Sequence, residues 1–360
     1  MSSLPYDIII GLEVHVQLLT RSKLFCRCST RFGAPPNTQT CPVCTGMPGS
    51  LPVMNRQAFQ LSLKTAVALN CEISEFTKWD RKQYYYPDLP KNYQISRFDL
   101  PLSREGWLEI SDPKGAFEPK RVGIIRAHLE EDAGKSMHDE VAGKADSRID
   151  LNRTGTPLLE IVSHPDMRSP QEARAYLDEL KLLLTYIGVS DCNMQEGSLR
   201  VDANINLHIH SAPVKIATPI VEVKNMNSFR AVERAIAYEI ERQAGLLNAG
   251  DRIVQETRLW DADRGVTRTM RSKEEAHDYR YFPEPDLLPL HIAPAWIERV
   301  KRELPELPEQ MRARFVTQYG LPDYDAEVLT ASCALAAFYE AAVATHNNPK
   351  SISNWVMADI

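Results

Sequence analysis

The 360-residue chain contains no run approaching the roughly 18 uninterrupted apolar residues that a membrane span requires. Its start, Met1-Ser2-Ser3-Leu4-Pro5, offers no basic stretch followed by an apolar one, so no secretory leader is read. A cytoplasmic protein with no membrane partner is expected. Excess positive charge is also missing. Lys and Arg number 42 against 48 Asp and Glu, a formal net charge of −6. That balance excludes a protein that coats nucleic acid by bulk electrostatics, because neutralising phosphates takes clustered cations. Cysteine is scarce and odd in number. Four of the seven are grouped as Cys26-x-Cys28 and Cys41-x-x-Cys44, while Cys71, Cys192 and Cys333 stand apart. The grouping reads as a metal site and not as a disulfide framework. There is no G-x-S-x-G elbow, no dinucleotide fingerprint, no internal repeat and no low-complexity segment.

One more absence shapes the chemistry. Gly134-Lys135-Ser136 would close a phosphate-cradling loop if position 129 were glycine, but it is Leu129. Glu130, Glu131 and Asp132 fill the loop where phosphates would lie, and three carboxylates repel them. The run is better read as a source of metal ligands, with ATP, if it binds, bridged to the acids by metal and helped by a cation such as Lys82 or Lys135.

What is present is two-residue alternation. Ile8, Ile10, Leu12, Val14, Val16 and Leu18 form one side of a segment whose other side carries Glu13, His15 and Gln17. The same pattern runs from Val122 to Glu130, with Arg126, His128 and Glu130 on one side, and from Val201 to His210, with Asp202 and Asn204 on one side. Strands with one polar and one apolar face favour a mainly antiparallel sheet, and so an α+β fold. Helices are predicted from Ser169 as N-cap to Ile187, with Pro170 first and Gly188 as stop, and from Ser228 to Gly250. After Pro294 the pattern turns helical over Trp296 to Leu304, Glu309 to Tyr319 and Ala326 to His346. Two domains are expected: residues 1–293, containing a knuckle at 26–44, and an all-α unit at 294–360. The latter stops within a helical pattern and is read as incomplete. Thr77 to Pro101, rich in Tyr, Pro and charge, reads as a binding loop.

Cys26, Cys28, Cys41 and Cys44 supply four thiolates, enough to close a tetrahedral zinc shell, which makes that zinc structural. Glu13, His15 and Glu130, with Asp202 on a third strand, provide ligands for a hard cation, and magnesium fits if phosphate is present. Glu160 and Glu222 lie in apolar stretches, where each needs a metal, Lys or Arg as partner.

The segments Gly11-Leu12-Glu13-Val14-His15-Val16, Asp80 to Lys91, Leu129 to Lys135, Asp150 to Glu160, Glu196 to Asn204 and Asp278 to Asp286, in that order, closely resemble the GatB family of tRNA-dependent amidotransferases. The resemblance spans essentially the whole chain. It implies a glutamine-synthetase-like cradle, a following helical domain and a tail domain that this chain lacks. It implies ATP-dependent amidation of misacylated Glu-tRNA(Gln) or Asp-tRNA(Asn), a ligase reaction in which the side-chain carboxylate is phosphorylated and then meets ammonia. A glutaminase partner would supply the ammonia, and a second, small partner would brace the heterotrimer. Glu13, His15, Glu130, Glu131, Glu160, Asp202 and Glu222 would surround magnesium, Lys82 and Lys91 would line the arrival of ammonia, and Arg258, Tyr279 and Arg280 would contact nucleotide. The alternative reading is a zinc-stabilised tRNA-binding protein with no chemistry of its own.

Overall fold

In the computed structural model the described residues are 5–97, 99–112, 114–138, 147–211, 214–272 and 280–359. Strand β1 (Tyr6–Gln17) runs through the middle of the main sheet, and its alternation is realised in three dimensions. Ile10, Leu12, Val14 and Val16 are fully buried, whereas Glu13, His15 and Gln17 on the other face are half-buried. Covering one such apolar side chain contributes about 1.5–3 kcal/mol, so a helical layer on that face is obligatory and the polar face is left for other uses.

From one edge of the main sheet to the other come β2 (Glu72–Ile73), β6 (Ser103–Ile110), β7 (Lys120–Glu131), β10 (Pro157–Ser163), β1, β11 (Leu199–Ser211), β13 (Val221–Lys224), β14 (Glu256–Asp261) and β15 (Val266–Ser272), with β12 (Val214–Ala217) also paired to β11. Beside it stand a three-stranded sheet, in which β4 (Asp80–Gln83) lies between β16 (Tyr281–Pro283) and β5 (Tyr93–Ser96), and two pairs, β3 (Phe76–Thr77) with β17 (Leu290–His291) and β8 (Lys135–His138) with β9 (Ser147–Asp150). The sheet is mostly antiparallel, as expected. The exception among the described pairings is β13 with β14, whose parallel run is made possible by the crossover helix α3 (Phe229–Ala249).

Three helices cover the apolar face: α1 (Arg56–Ala68), α2 (Pro170–Tyr186) and α3. Their ends obey the sequence signals. Ser169 Oγ accepts a hydrogen bond from Glu172 N at 3.1 Å and Pro170 opens α2, while Ser228 caps α3 and Gly250 closes it at φ 82°. Lys120 extends the first cap by reaching Glu172 Oε2 at 2.9 Å.

Past the sheet, α4 (Pro294–Glu303) packs on α1, with the Trp296 and Phe59 ring centroids 5.2 Å apart. The remaining helices, α5 (Pro308–Tyr319), α6 (Asp323–Leu329), α7 (Cys333–His346) and α8 (Pro349–Asp359), share an apolar cluster of their own around Phe315, Leu329 and Tyr339. The single helix expected over 326–346 is two, bent by 114°, because Ser332 caps α7 by accepting from Leu335 N at 3.2 Å. The stretch 77–101 is likewise more ordered than a loop. β4 and β5 form there, and Arg81 ties β4 to Glu284 at 2.6 Å and to Asp286 at 3.0 Å. Among the described residues no single helix is long and apolar enough to cross a membrane.

The Ser169 cap gives a direct stability test. Ser169→Ala removes the acceptor for one orphan N–H of α2 and is expected to cost about 1 kcal/mol, seen as a lower urea midpoint with an unchanged slope.

Candidate active site

The polar face of the sheet is assembled by register. Glu13 lies opposite Asp202, His15 opposite Glu160, and Glu160 opposite His128, so side chains from four neighbouring strands share one surface. Their donor atoms form two groups. One is His15, Glu130 and Glu160; the other is Glu13, Asp202 and Glu222; within each group one ligand atom per residue lies within 4.8 Å of the others. The residues expected around a single cation thus fall into two adjacent groups, each of which could hold one.

Each group carries a built-in cation. His128, fully buried, lies 2.8 Å from Glu160 Oε2 and 3.6 Å from Glu130 Oε2. Burial alone would push its imidazole down, but Glu160 and Glu130 outweigh that and lift it to about 9. Glu160 responds in kind: burial favours its neutral form, yet His128 holds it far below the usual carboxylate range. In the other group Lys224 bonds Asp202 and lies 2.9 Å from Glu222 Oε1, while Thr257 donates to Glu222 Oε2 at 2.8 Å. Glu13 is raised by burial and by Glu160, against a 2.9 Å hydrogen bond donated by Asn204. A raised carboxyl beside two further acids is what an incoming cation would relieve.

A cavity of about 670 Å³ adjoins this face, and Lys135, Arg153, Arg200, Asp202 and Lys224 are among its walls. Arg200 and Arg153 converge on buried Asp132, at 2.9 and 3.6 Å, and Gln17 donates to the same carboxylate at 2.7 Å. Because Lys135 begins β8, no helix N-terminus follows Gly134-Lys135-Ser136.

Several expected residues stand elsewhere. Glu131 follows Glu130 by one position and therefore points to the opposite face, where it pairs with Lys91 and accepts from Ile95 N at 2.8 Å. Arg258 lies beside Val223 in register and turns toward the helices, bonding Glu256 at 2.7 Å and Thr267 Oγ1 at 2.7 Å, with Glu239 at 3.7 Å. Its guanidinium is committed to that network and is not at the carboxylate face. Lys82 belongs to β4 in the smaller sheet, Arg280 is exposed just before β16, and Tyr279 falls outside the described residues. Sequence reasoning did not select His128, Lys224, Arg200 or Arg153. For the first two a signal existed, since each stands two places from a chosen acid on the same strand face.

The four-cysteine group lies beyond the opposite face. Cys26, Cys28, Cys41 and Cys44 place their sulfurs within 4.8 Å of one another, and sulfurs bound tetrahedrally at about 2.3 Å from zinc would stand about 3.8 Å apart. The Cys26 thiol, the Cys41 N–H at 3.2 Å and Lys23 together overcome burial and bring the Cys44 thiol down to about 4. The donors fit a thiolate-binding metal.

The GatB/GatE catalytic domain model matches residues 8–298. The chain belongs to that family. Relatives of this GatB-type chain are named as the B-subunit of aspartyl/glutamyl-tRNA(Asn/Gln) amidotransferase. That of Rhodopirellula baltica is 58% identical over 99% of this chain and 72% of its own length. Those of Moorella thermoacetica and a Geobacter species are 56% and 55% identical, each over 99% of this chain and 74% of their own.

Asp132 provides the pH test. Burial would raise its carboxyl, but Arg200 and Arg153 hold it below its ordinary 3.8. A depressed folded-state value gives stability that is present above pH 3.8 and lost as pH falls through the lower folded value. Asp132→Asn should remove that acid limb. At neutral pH it should cost about 2 kcal/mol, less than the 3–5 of a fully buried pair, because both arginine side chains are about one-third exposed. Urea unfolding from pH 3 to 7 checks both, and a variant as acid-sensitive as the parent would refute the assignment.

Proposed function

We propose that this chain phosphorylates the side-chain carboxylate of misacylated Glu-tRNA(Gln) or Asp-tRNA(Asn) with ATP and directs ammonia onto the product. In the first step a carboxylate oxygen attacks the γ-phosphorus and ADP leaves. In the second, ammonia attacks the acyl carbon, phosphate leaves, and an amide remains. The observation that carries this reading is the pair of carboxylate groups side by side on one sheet face, next to a cavity edged by Lys135, Arg153, Arg200 and Lys224. Family membership supports it, since the relatives carry the amidotransferase name.

Magnesium, which favours oxygen ligands, would be held by the carboxylates of Glu13, Asp202 and Glu222 and by those of Glu130 and Glu160, with the His15 imidazole beside the latter, and when bound it would offset charge on the transferring phosphate. Lys224 already pairs with both Asp202 and Glu222, and a phosphate group arriving beside them would compete for its ammonium. His128 orients Glu160 through the 2.8 Å contact and keeps the Glu130 and Glu160 pair from repelling each other apart. Gln17, Arg153 and Arg200 hold Asp132 fixed at the margin, which keeps the wall of the cavity rigid.

Lys91, locked to Glu131 on the other face, and Lys82 on the adjoining small sheet are the residues we assign to the arrival of ammonia. We infer that ammonia comes from a glutaminase partner, that a second, small partner completes a heterotrimer, and that the sheet is a glutamine-synthetase-type cradle. The four cysteines are assigned to structural zinc, because all-thiolate coordination leaves no open position for chemistry.

Two substitutions test the reading in the reconstituted assembly. Glu13→Gln and His15→Ala should each lower ATP-dependent amidation by on the order of 100-fold or more while glutamine hydrolysis persists. Amidation at the parental rate would remove the sheet face from the mechanism and leave tRNA positioning as the role of this chain.

A further inference from the structure

The four-cysteine group and the Lys91–Glu131 pair enclose one cavity of about 190 Å³, with Lys23, Cys26, Cys44, Gly46, Lys91 and Glu131 among its walls. Two glycines set the spacing. Gly46, in the turn after Cys44, has φ +71°, and a Cβ there would lie 2.2 Å from Lys91 Cβ and 2.7 Å from Lys91 Cα. No side chain fits, so the knuckle turn is pressed directly against the Lys91 backbone. Gly155 separates the other walls: a Cβ at that position would be 3.6 Å from Cys44 Cβ, 3.6 Å from Lys23 Cδ and 3.8 Å from Glu131 Oε2.

Lys23 closes the set. It is fully buried, and its ammonium meets Cys44 Sγ at 3.6 Å and Leu151 O at 3.3 Å. Among the described residues no carboxylate lies within ion-pair distance of it. A buried ammonium needs a compensating anion, and four thiolates around a divalent ion carry a net charge of about −2. The cation is therefore matched most fully to a filled cysteine centre; emptied, the centre leaves it at most the Cys44 thiolate.

We infer that the four-cysteine centre is a positioning device for the Lys91–Glu131 pair, with Gly46 and Lys23 as the positioning residues. The metal-bound knuckle holds Gly46 against Lys91, and the thiolate charge holds Lys23 between Cys44 and the 151–155 turn, behind Glu131. Emptying the centre frees the knuckle, and Lys91 leaves Glu131. This rests on the assignment of the cysteines to zinc, and it makes Lys91, proposed above to meet ammonia, dependent on a metal that never touches substrate.

The test is lysine reactivity in the full chain, read as peptide-resolved reductive methylation by formaldehyde and a borohydride reagent. With zinc bound, Lys91 should be protected, its side chain being 5% exposed, whereas Lys301, at 53%, labels freely. Removing zinc with a chelator should raise Lys91 labelling on the order of tenfold, the effect of weakening its buried pair, and leave Lys224 on the far face unchanged. Gly46→Ala should raise Lys91 labelling equally while zinc content stays at that of the parent. If zinc is bound and Lys91 remains protected after both changes, the positioning role is overturned and the zinc assignment stands. A chain that takes up no zinc overturns both. A parallel rise at Lys224 also overturns the proposal, because it marks the loss of the whole sheet.

Discussion

Like charges crowd together on the polar face of the sheet, and the repulsion among them is the constraint that organises the rest. Glu13, Glu130, Glu160, Asp202 and Glu222 converge there because the strand register leaves them no alternative. Such a face is stable only when cations are distributed through it. His128 and Lys224 supply that charge from within the sheet, while Arg200 and Arg153 do so for Asp132 at its margin. Each acid group thus rests in a state that an incoming metal or phosphate can rearrange, since carboxylates and cations are already paired at hydrogen-bond distance.

The apolar side of the same strands sets the architecture. Ile10, Leu12, Val14 and Val16 demand cover, and α1, α2 and α3 provide it. Because these helices cover the apolar face, the two carboxylate groups are left together on the other. The parallel β13–β14 pair follows from the same economy of space: α3 must cross between those strands to lie beside α2 on the apolar face.

Much of this is legible from residue order alone. Alternation in β1, β7 and β11 marks the strands and their polar faces, and Ser169, Pro170 and Gly250 mark helix ends. What escapes such a reading has physical causes. β4 and β5 are four residues each, and β4 carries Asp, Arg, Lys and Gln in place of an apolar stripe; the pair is held partly by β16, some 200 positions away, through Arg81 and Glu284. No local pattern contains such a partner. The position of Arg258, away from the carboxylate face, is not legible because Glu239 becomes its neighbour only through the α3 crossover. Glu131 is different. Its side of the strand is fixed by parity with Glu130, but grouping the acids as a run conceals it. The cysteine spacing reveals the cluster, while its proximity to Lys91 depends on Gly46.

The parity of β7 also bears on how this sequence can change. Glu130 faces the carboxylate groups and Glu131 faces Lys91 and the cysteine cavity, so one step along the backbone separates two unrelated environments. Substitutions can alter either environment alone. Inserting or deleting a single residue between His128 and Glu130 cannot, because it would turn each glutamate to the opposite face and disturb both at once. The length of this strand segment is therefore under tighter restraint than most of its side chains, and tolerated variation in length belongs in the connecting turns.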